Sequence, residues 1–312
     1  MSREYQAENK LKIMSRSHYL FFLKHNIKSR LFRIRQPLLA SFKITYRCTL
    51  TCRSCPFWKM EPLSISYHQA IEIMNNFHSK GVRLLIFEGG EPFLWSDGDY
   101  RLDDLVQYAR QKFFRVGITT NGTLPIETAA DVVWVSIDGL QQTHEENRGK
   151  CFEKIMTNIA ASSHRNILAH ITINRLNYQE IPSLVEFLSK KVRGITVQFY
   201  YPFPNSDDLW LPEQDRITAL SQLIELKRKG FPIFNSVATL EGLKKNTWKC
   251  HDWLIANAEP DGRMNIGCYL KDRADISCEK CGFAAHTEIA KAFDWNFGAI
   301  KVGGKTFRFR LL

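Results

Sequence analysis

Cys48, Cys52 and Cys55 stand in a C-x3-C-x2-C arrangement. Three thiolates on one tight loop can ligate three irons of a cubane and leave the fourth iron open to a small molecule. Electron-transfer clusters, by contrast, use four cysteines and close every site. Zinc would also accept three thiolates but wants a fourth ligand nearby, and the nearest downstream histidine, His68, falls inside a predicted helix. A second group, Cys250, Cys268, Cys278 and Cys281, is spaced C-x17-C-x9-C-x2-C. Four thiolates suffice to close an auxiliary [4Fe–4S] or [2Fe–2S] centre, and on spacing alone they suit zinc equally well. Cys151 stands alone and reads as a small buried hydrophobe. His251, beside Cys250, reads as a neighbour of the ligands or a surface residue.

The 312 residues are 44% hydrophobic and 24% charged, which is a globular composition rather than a disordered one. There is no apolar run long enough for a transmembrane helix, and the short apolar stretch 19–23 lacks the cleavage site of a signal peptide. Clustered cysteines without a secretory signal favour metal binding in a reducing, cytoplasmic compartment. The formal net charge of +11 is local. From Asn9 to Met60 there are 12 Lys and Arg and no acid, while the rest of the chain carries 31 basic against 32 acidic residues.

Three segments are expected. Residues 1–37 read as a basic amphipathic helical segment, with Leu20, Leu23, Ile27, Leu31 and Ile34 near helical spacing and Pro37 ending it. Residues 38–230 alternate strand and helix. Strands are expected at 39–46, 82–87, 115–120, 132–137, 167–173 and 195–200, with helices at 64–80, 102–113, 152–165, 181–191 and 213–229. The third and fourth strands are joined with little room for a full helix. Such alternation argues for parallel strands with crossover helices, and six units predict an α/β fold, a partial (βα)6 barrel. Its ligand site belongs at the carboxyl ends of the strands. Residues 231–312 lose the alternation and read as a small cysteine-rich C-terminal extension.

The first cysteine triplet follows the first strand, and polar motifs end the others. Gly89-Gly90-Glu91-Pro92 ends the second, Thr119-Thr120-Asn121-Gly122 the third and Ser136-Ile137-Asp138-Gly139 the fourth. Arg148-Gly149 comes next, and Asn174 ends the fifth. With these motifs the chain resembles the radical S-adenosylmethionine (SAM) superfamily, whose signature is C-x3-C-x-Φ-C with Φ usually aromatic. Ser54 occupies Φ here. The resemblance covers roughly residues 38–204. It implies a [4Fe–4S] cluster on Cys48, Cys52 and Cys55, and SAM contacts from Gly89, Gly90, Glu91, Thr120, Asn121, Ser136, Asp138, Arg148 and Asn174. In that family the Gly-Gly-Glu motif meets the methionyl amino group. It further implies reductive cleavage of SAM to a 5′-deoxyadenosyl radical, with a flavodoxin- or ferredoxin-type donor. Cys250, Asp261-Gly262 and Cys268 resemble the start of a SPASM or twitch auxiliary-cluster region. There the gap from Gly262 to Cys268 is five residues where four is usual.

The basic segment admits a helix packed on the barrel, or a peripheral membrane contact through residues 10–35, where aromatic and aliphatic side chains stand among Lys and Arg. Nucleic-acid binding is disfavoured because no recognition module accompanies the charge. A lipid or membrane-associated substrate is slightly preferred; Phe199, Tyr200, Tyr201, Phe203 and Trp210 read either as the lining of an apolar pocket at the barrel mouth or, as is commoner, as core aromatics. The enzymatic alternative is a peptide- or protein-modifying maturase, although residues 1–37 are too short for a winged-helix leader-binding module. The alternative from another class is a non-catalytic iron–sulfur or zinc scaffold.

Overall fold

A computed structural model describes residues 16–203 and 207–309 of the chain. Helix α1 (Arg16–Leu31) is followed by β1 (Leu39–Thr45), α2 (Tyr67–Ser79), β2 (Leu84–Gly89) and a two-strand hairpin, β3 (Ser96–Asp97) with β4 (Tyr100–Arg101). Next come α3 (Leu102–Lys112), β5 (Arg115–Thr120), β6 (Val132–Ser136), α4 (Gln141–Arg148), α5 (Phe152–Ala161) and β7 (Ile167–Ile173). The chain continues through α6 (Ile181–Ser189), β8 (Gly194–Phe199), α7 (Glu213–Arg228) and α8 (Val237–Lys244). It closes with β9 (Ile255–Ala258), β10 (Met264–Ile266), α9 (Ala284–Phe293) and α10 (Phe297–Thr306).

The main sheet has the order β10-β9-β1-β2-β5-β6-β7-β8. Strands β1, β2, β5, β6, β7 and β8 are parallel neighbours in sequence order, and the sheet stays open, as a partial barrel. Alternation along each strand separates two faces. Phe42, Ile44, Leu85 and Phe87 pack outward with α2 and α3, and Val133, Val135, Ala169, Ile171, Ile195 and Val197 with α5, α6 and α7.

The inward residues change character along every strand. Leu39, Leu84, Ile86, Val132, Trp134 and Leu168 form an apolar floor at the strand starts, closed by Phe234, Phe307 and Phe309. Further along, the inward positions are Lys43, Glu88, Ser136, His170, Thr172, Thr196 and Gln198. The floor is dry and the mouth is polar.

Two expectations need correcting. Helix α1 ends at Leu31 rather than at Pro37, because the chain turns through Arg33 with φ +56. The segment after residue 230 is also more regular than its weak periodicity predicts. It holds α8, α9 and α10, and β9 joins the barrel sheet parallel to β1, pairing Leu39 with Ile255 and Phe42 with Ala258. Strands of three and four residues and helices of eight to ten carry too few turns to show a period. The N-terminal residues before Arg16, including Lys10 and Lys12, lie outside the described residues.

Candidate functional site

The cysteine loop leaves β1 at Thr45 and is pinned on three sides. Arg53 N–H donates to Asn147 O at 2.8 Å and Ser54 N–H to Asn147 Oδ1 at 3.2 Å, which ties the loop to α4. Asn121 Nδ2 donates to Thr49 Oγ1 at 2.9 Å, which ties it to the end of β5. Trp58 Nε1 donates to Cys52 O at 3.0 Å across the loop itself. Two donors also point at sulfur. Asn121 Nδ2 lies 3.6 Å from Cys48 Sγ and Arg148 Nη1 lies 3.9 Å from Cys52 Sγ. Burial pushes the Cys52 thiol up to about 11, Arg148 pulls it down, and the Cys55 and Cys48 thiols push it up again.

This donor set fits a cubane: three thiols within electrostatic reach of one another, with an amide and a guanidinium placed to neutralise thiolate charge. Among the described residues no three Cys, His, Asp or Glu side chains converge closely enough to hold a single metal ion.

Gly89 and Gly90 let the end of β2 lie against the root of the loop. A Cβ on Gly89 would fall 2.2 Å from Thr45 O, and one on Gly90 2.2 Å from Arg47 O. In place of side chains, Gly90 N–H donates to Thr45 O at 2.7 Å and Glu91 N–H to Arg47 O at 2.8 Å. The Glu91 side chain is wholly buried. Its carboxylate accepts from Thr120 Oγ1 at 2.8 Å, Asn121 N–H at 2.7 Å and Phe93 N–H at 3.1 Å. Burial pushes its pKa up to about 7 against those donors. Glu91 thus clamps the ends of β2 and β5 together, and Thr120 is occupied in the same clamp.

Asp138, past the end of β6, is buried and fully engaged. Oδ2 accepts from Arg148 Nε at 2.6 Å and from Asn147 Nδ2 at 2.8 Å, while Oδ1 accepts from Thr172 N–H at 2.9 Å. Burial opposes its ionisation, but Arg148, the Thr172 N–H and His144 together outweigh it and hold the carboxyl below its usual range. Helix α4, absent from the sequence expectation, carries both Asn147 and Arg148. Asn174 is also consumed internally: its N–H donates to Asn177 Oδ1, its Nδ2 to Thr172 O, and its Oδ1 accepts from Leu176 N–H. Ser136 lies on the inward face, beside His170 in the sheet. Cys151 is buried, 3.5 Å from His144 Nε2.

Sequence reasoning missed the charges inside the barrel. Lys43 Nζ is 2.6 Å from Glu88 Oε1 and donates to Tyr269 Oη at 2.7 Å, and Ser41 donates to the same carboxylate. Burial, then Arg273, lowers Lys43 to about 8. Arg273 is paired with Glu259, which also accepts from Tyr46 Oη. His170 donates to or accepts from Thr196 Oγ1 at 3.0 Å, and burial pushes it down to about 4. A Lys and a Glu at inward positions of otherwise apolar strands were the available signal.

Cys250, Cys268, Cys278 and Cys281 lie within electrostatic reach of one another, beside the end of β8. Phe199 N–H donates to Gly282 O at 3.0 Å. Arg216 of α7 donates to Cys281 O at 2.6 Å and to Asn246 Oδ1, and Asn246 Nδ2 holds Cys278 O and Glu279 O. Burial raises the Cys281 thiol to about 11. His251 faces Asp294 rather than the cysteines, at 3.1 Å. Phe199, Tyr200 and Tyr201 are buried as core aromatics, while Phe203 and Trp210 are partly buried. A cavity of about 300 Å³ opens at the first cysteine loop, lined among others by Tyr46, Arg47, Cys48, Leu50, Thr51 and Trp58.

The radical SAM superfamily model matches residues 42–188. Fe-coproporphyrin III synthase of Methanosarcina barkeri is 26% identical over 215 residues, 61% of this chain and 53% of that protein. Sporulation killing factor maturation protein SkfB of Bacillus subtilis is 29% identical over 164 residues, 48% of this chain and 39% of that one. The chain thus spans about half the length, or less, of these curated relatives. Among solved structures, SuiB of Streptococcus suis bound to SAM superposes with TM-score 0.62 at 15% identity, covering 97% of this chain and 76% of SuiB. SuiB has also been solved with its precursor peptide SuiA. The family match covers just under half of the chain and the fold agrees with it: residues 42–188 form a radical SAM domain.

Proposed function

We propose that the chain cleaves SAM reductively at the mouth formed by the ends of β1, β2, β5 and β6. When bound, a [4Fe–4S] cluster on Cys48, Cys52 and Cys55 supplies the electron that splits SAM into methionine and a 5′-deoxyadenosyl radical. The observation that carries this reading is the pair of donors on the cysteine sulfurs, Asn121 to Cys48 and Arg148 to Cys52. The other residues hold the mouth in shape. Gly89 and Gly90 bring the β2 end to the loop, and Glu91 locks it to β5. Asp138 orients the Arg148 guanidinium, since a bidentate-capable fork held by a buried carboxylate cannot swing away. Orientation of this kind replaces collision with positioning. Cys250, Cys268, Cys278 and Cys281 would hold an auxiliary iron–sulfur cluster in a SPASM-like region, and a low-potential donor would deliver electrons.

The inward face also bears on substrate. His170, Thr172, Thr196, Gln198 and Glu88 line the upper lumen, so the reacting end of the substrate is a polar, hydrogen-bonding group rather than a hydrocarbon. A peptide backbone satisfies that description, and SuiB and SkfB favour it as a second reading of the substrate beside a membrane-associated one. Anaerobic reconstitution followed by dithionite and SAM tests the core claim. 5′-Deoxyadenosine should form, and its absence from protein with an intact cluster would overturn the assignment.

A further inference from the structure

Helix α1 is apolar on two opposite faces. One face is packed: Phe21 and Phe22 meet Phe114 with ring centroids 5.3 and 5.9 Å apart, His25 Nε2 bonds Gln36 O at 2.9 Å, and Asn26 Nδ2 donates to Phe293 O at 2.8 Å. At 100° per residue, Leu20, Leu23, Ile27 and Leu31 form a stripe on the opposite side. All four are exposed, Leu31 by 73% and Leu20 by 52%, and Phe32 beyond the helix is 66% exposed. Such a contiguous apolar surface on a protein that already has a core marks a contact site.

The charges around the stripe select its occupant. Lys24 and Lys28 flank it on one side, and Arg33 and Arg35 follow its end. All four are exposed, and among the described residues none forms an ion pair. No acid occurs between Asn9 and Met60. The nearby carboxylate of Asp294 is already taken by Arg30 and His251. Beside it, Trp295 and Phe297 project into solvent, Phe297 by 83%. Exposed Trp and Phe next to a basic apolar stripe is the composition of an interfacial anchor. A second copy of this chain would set the two cationic flanks against each other. No helix among the described residues is long and apolar enough to cross a membrane, so the helix lies along the surface.

We propose that α1 docks this chain on an anionic membrane surface, with Leu20, Leu23, Ile27 and Leu31 in the headgroup–acyl boundary and Lys24, Lys28, Arg33 and Arg35 on the headgroups. The docking does not depend on the SAM reading, and its test uses no SAM chemistry. Full-length protein is sedimented with vesicles of phosphatidylcholine alone or with about 30 mol% phosphatidylglycerol, at low and high salt. Binding to the anionic vesicles should be at least tenfold tighter and should weaken with salt. L23E/I27E/L31E should reduce it at least tenfold with an unchanged melting temperature, since all three positions are exposed. K24E/K28E should remove most of the salt dependence. Equal binding of wild type and the triple variant would overturn the proposal, as would equal binding to neutral vesicles. So would a lipid-free dimer in light scattering that the triple variant converts to monomer.

Discussion

Tyr269 Oη accepts a hydrogen bond from Lys43 Nζ at 2.7 Å, so the residue after Cys268 meets β1 five positions before Cys48. The Lys43 ammonium also stands 4.2 Å from the Tyr269 ring centroid and 4.7 Å from that of Phe57. The C-terminal extension is thereby fastened to the inside of the barrel between the two cysteine groups. Lys43→Met would leave Glu88 buried without its ammonium, at a cost of about 3–5 kcal/mol. The double variant K43M/E88L should recover part of that loss. Urea unfolding of both variants measures it.

Arg148 is the positioning residue most exposed to a conservative test. Arg148→Lys keeps a positive charge but cannot donate to Asp138 and reach Cys52 at once. The rate of 5′-deoxyadenosine formation should fall about 10- to 100-fold while bound iron per chain stays unchanged. An unchanged rate would remove the guanidinium from the site.

The two cysteine groups should load independently. Cys48→Ala should lose one cluster's iron and sulfide and all SAM cleavage. Cys268→Ala should lose the other cluster and keep measurable SAM cleavage. Iron and sulfide analysis, with electron paramagnetic resonance of the reduced proteins, separates the two.

Gly90→Ala should be severe for a residue with no functional side chain. The added Cβ would fall 2.2 Å from Arg47 O and 2.6 Å from Tyr46 O, and backbone at that range must move. A loss of about 2–4 kcal/mol is expected. Reconstituted iron should fall as well, because the displaced backbone carries the cysteine loop.

Stability should also depend on pH through Glu288. Burial pushes its carboxyl from 4.5 up to about 7, against the N–H of Ser236. The folded protein therefore keeps a proton that the unfolded chain releases, and unfolding free energy falls as pH rises from about 4.5 to about 7. The contribution is at most about 3 kcal/mol. Glu288→Gln should flatten that slope in pH-dependent denaturation. Glu91, pushed up to about 7 by its own burial, should leave a residual slope of the same sign.

What the sequence alone determined was local. Thiol spacing, the Gly-Gly-Glu turn and polar residues at strand ends are each contained within a few positions, and the alternation of strand-like and helix-like segments set the partial barrel around them. Tertiary structure decided what those residues are bonded to. Glu91, Asp138 and Asn174 all read as cofactor contacts, and the fold bonds them to Asn121, Arg148 and Leu176, partners up to thirty residues distant or held on an unpredicted helix. Lys43 and Glu88 lie forty-five positions apart and gain meaning only when parallel pairing aims them into one lumen. Strand β9 carries no readable period in four residues, and becomes a strand because the open edge of β1 offers it hydrogen bonds. For α1 the sequence supplied apolar residues near helical spacing, and only packing against Phe114 and Phe293 decided which of them are left bare.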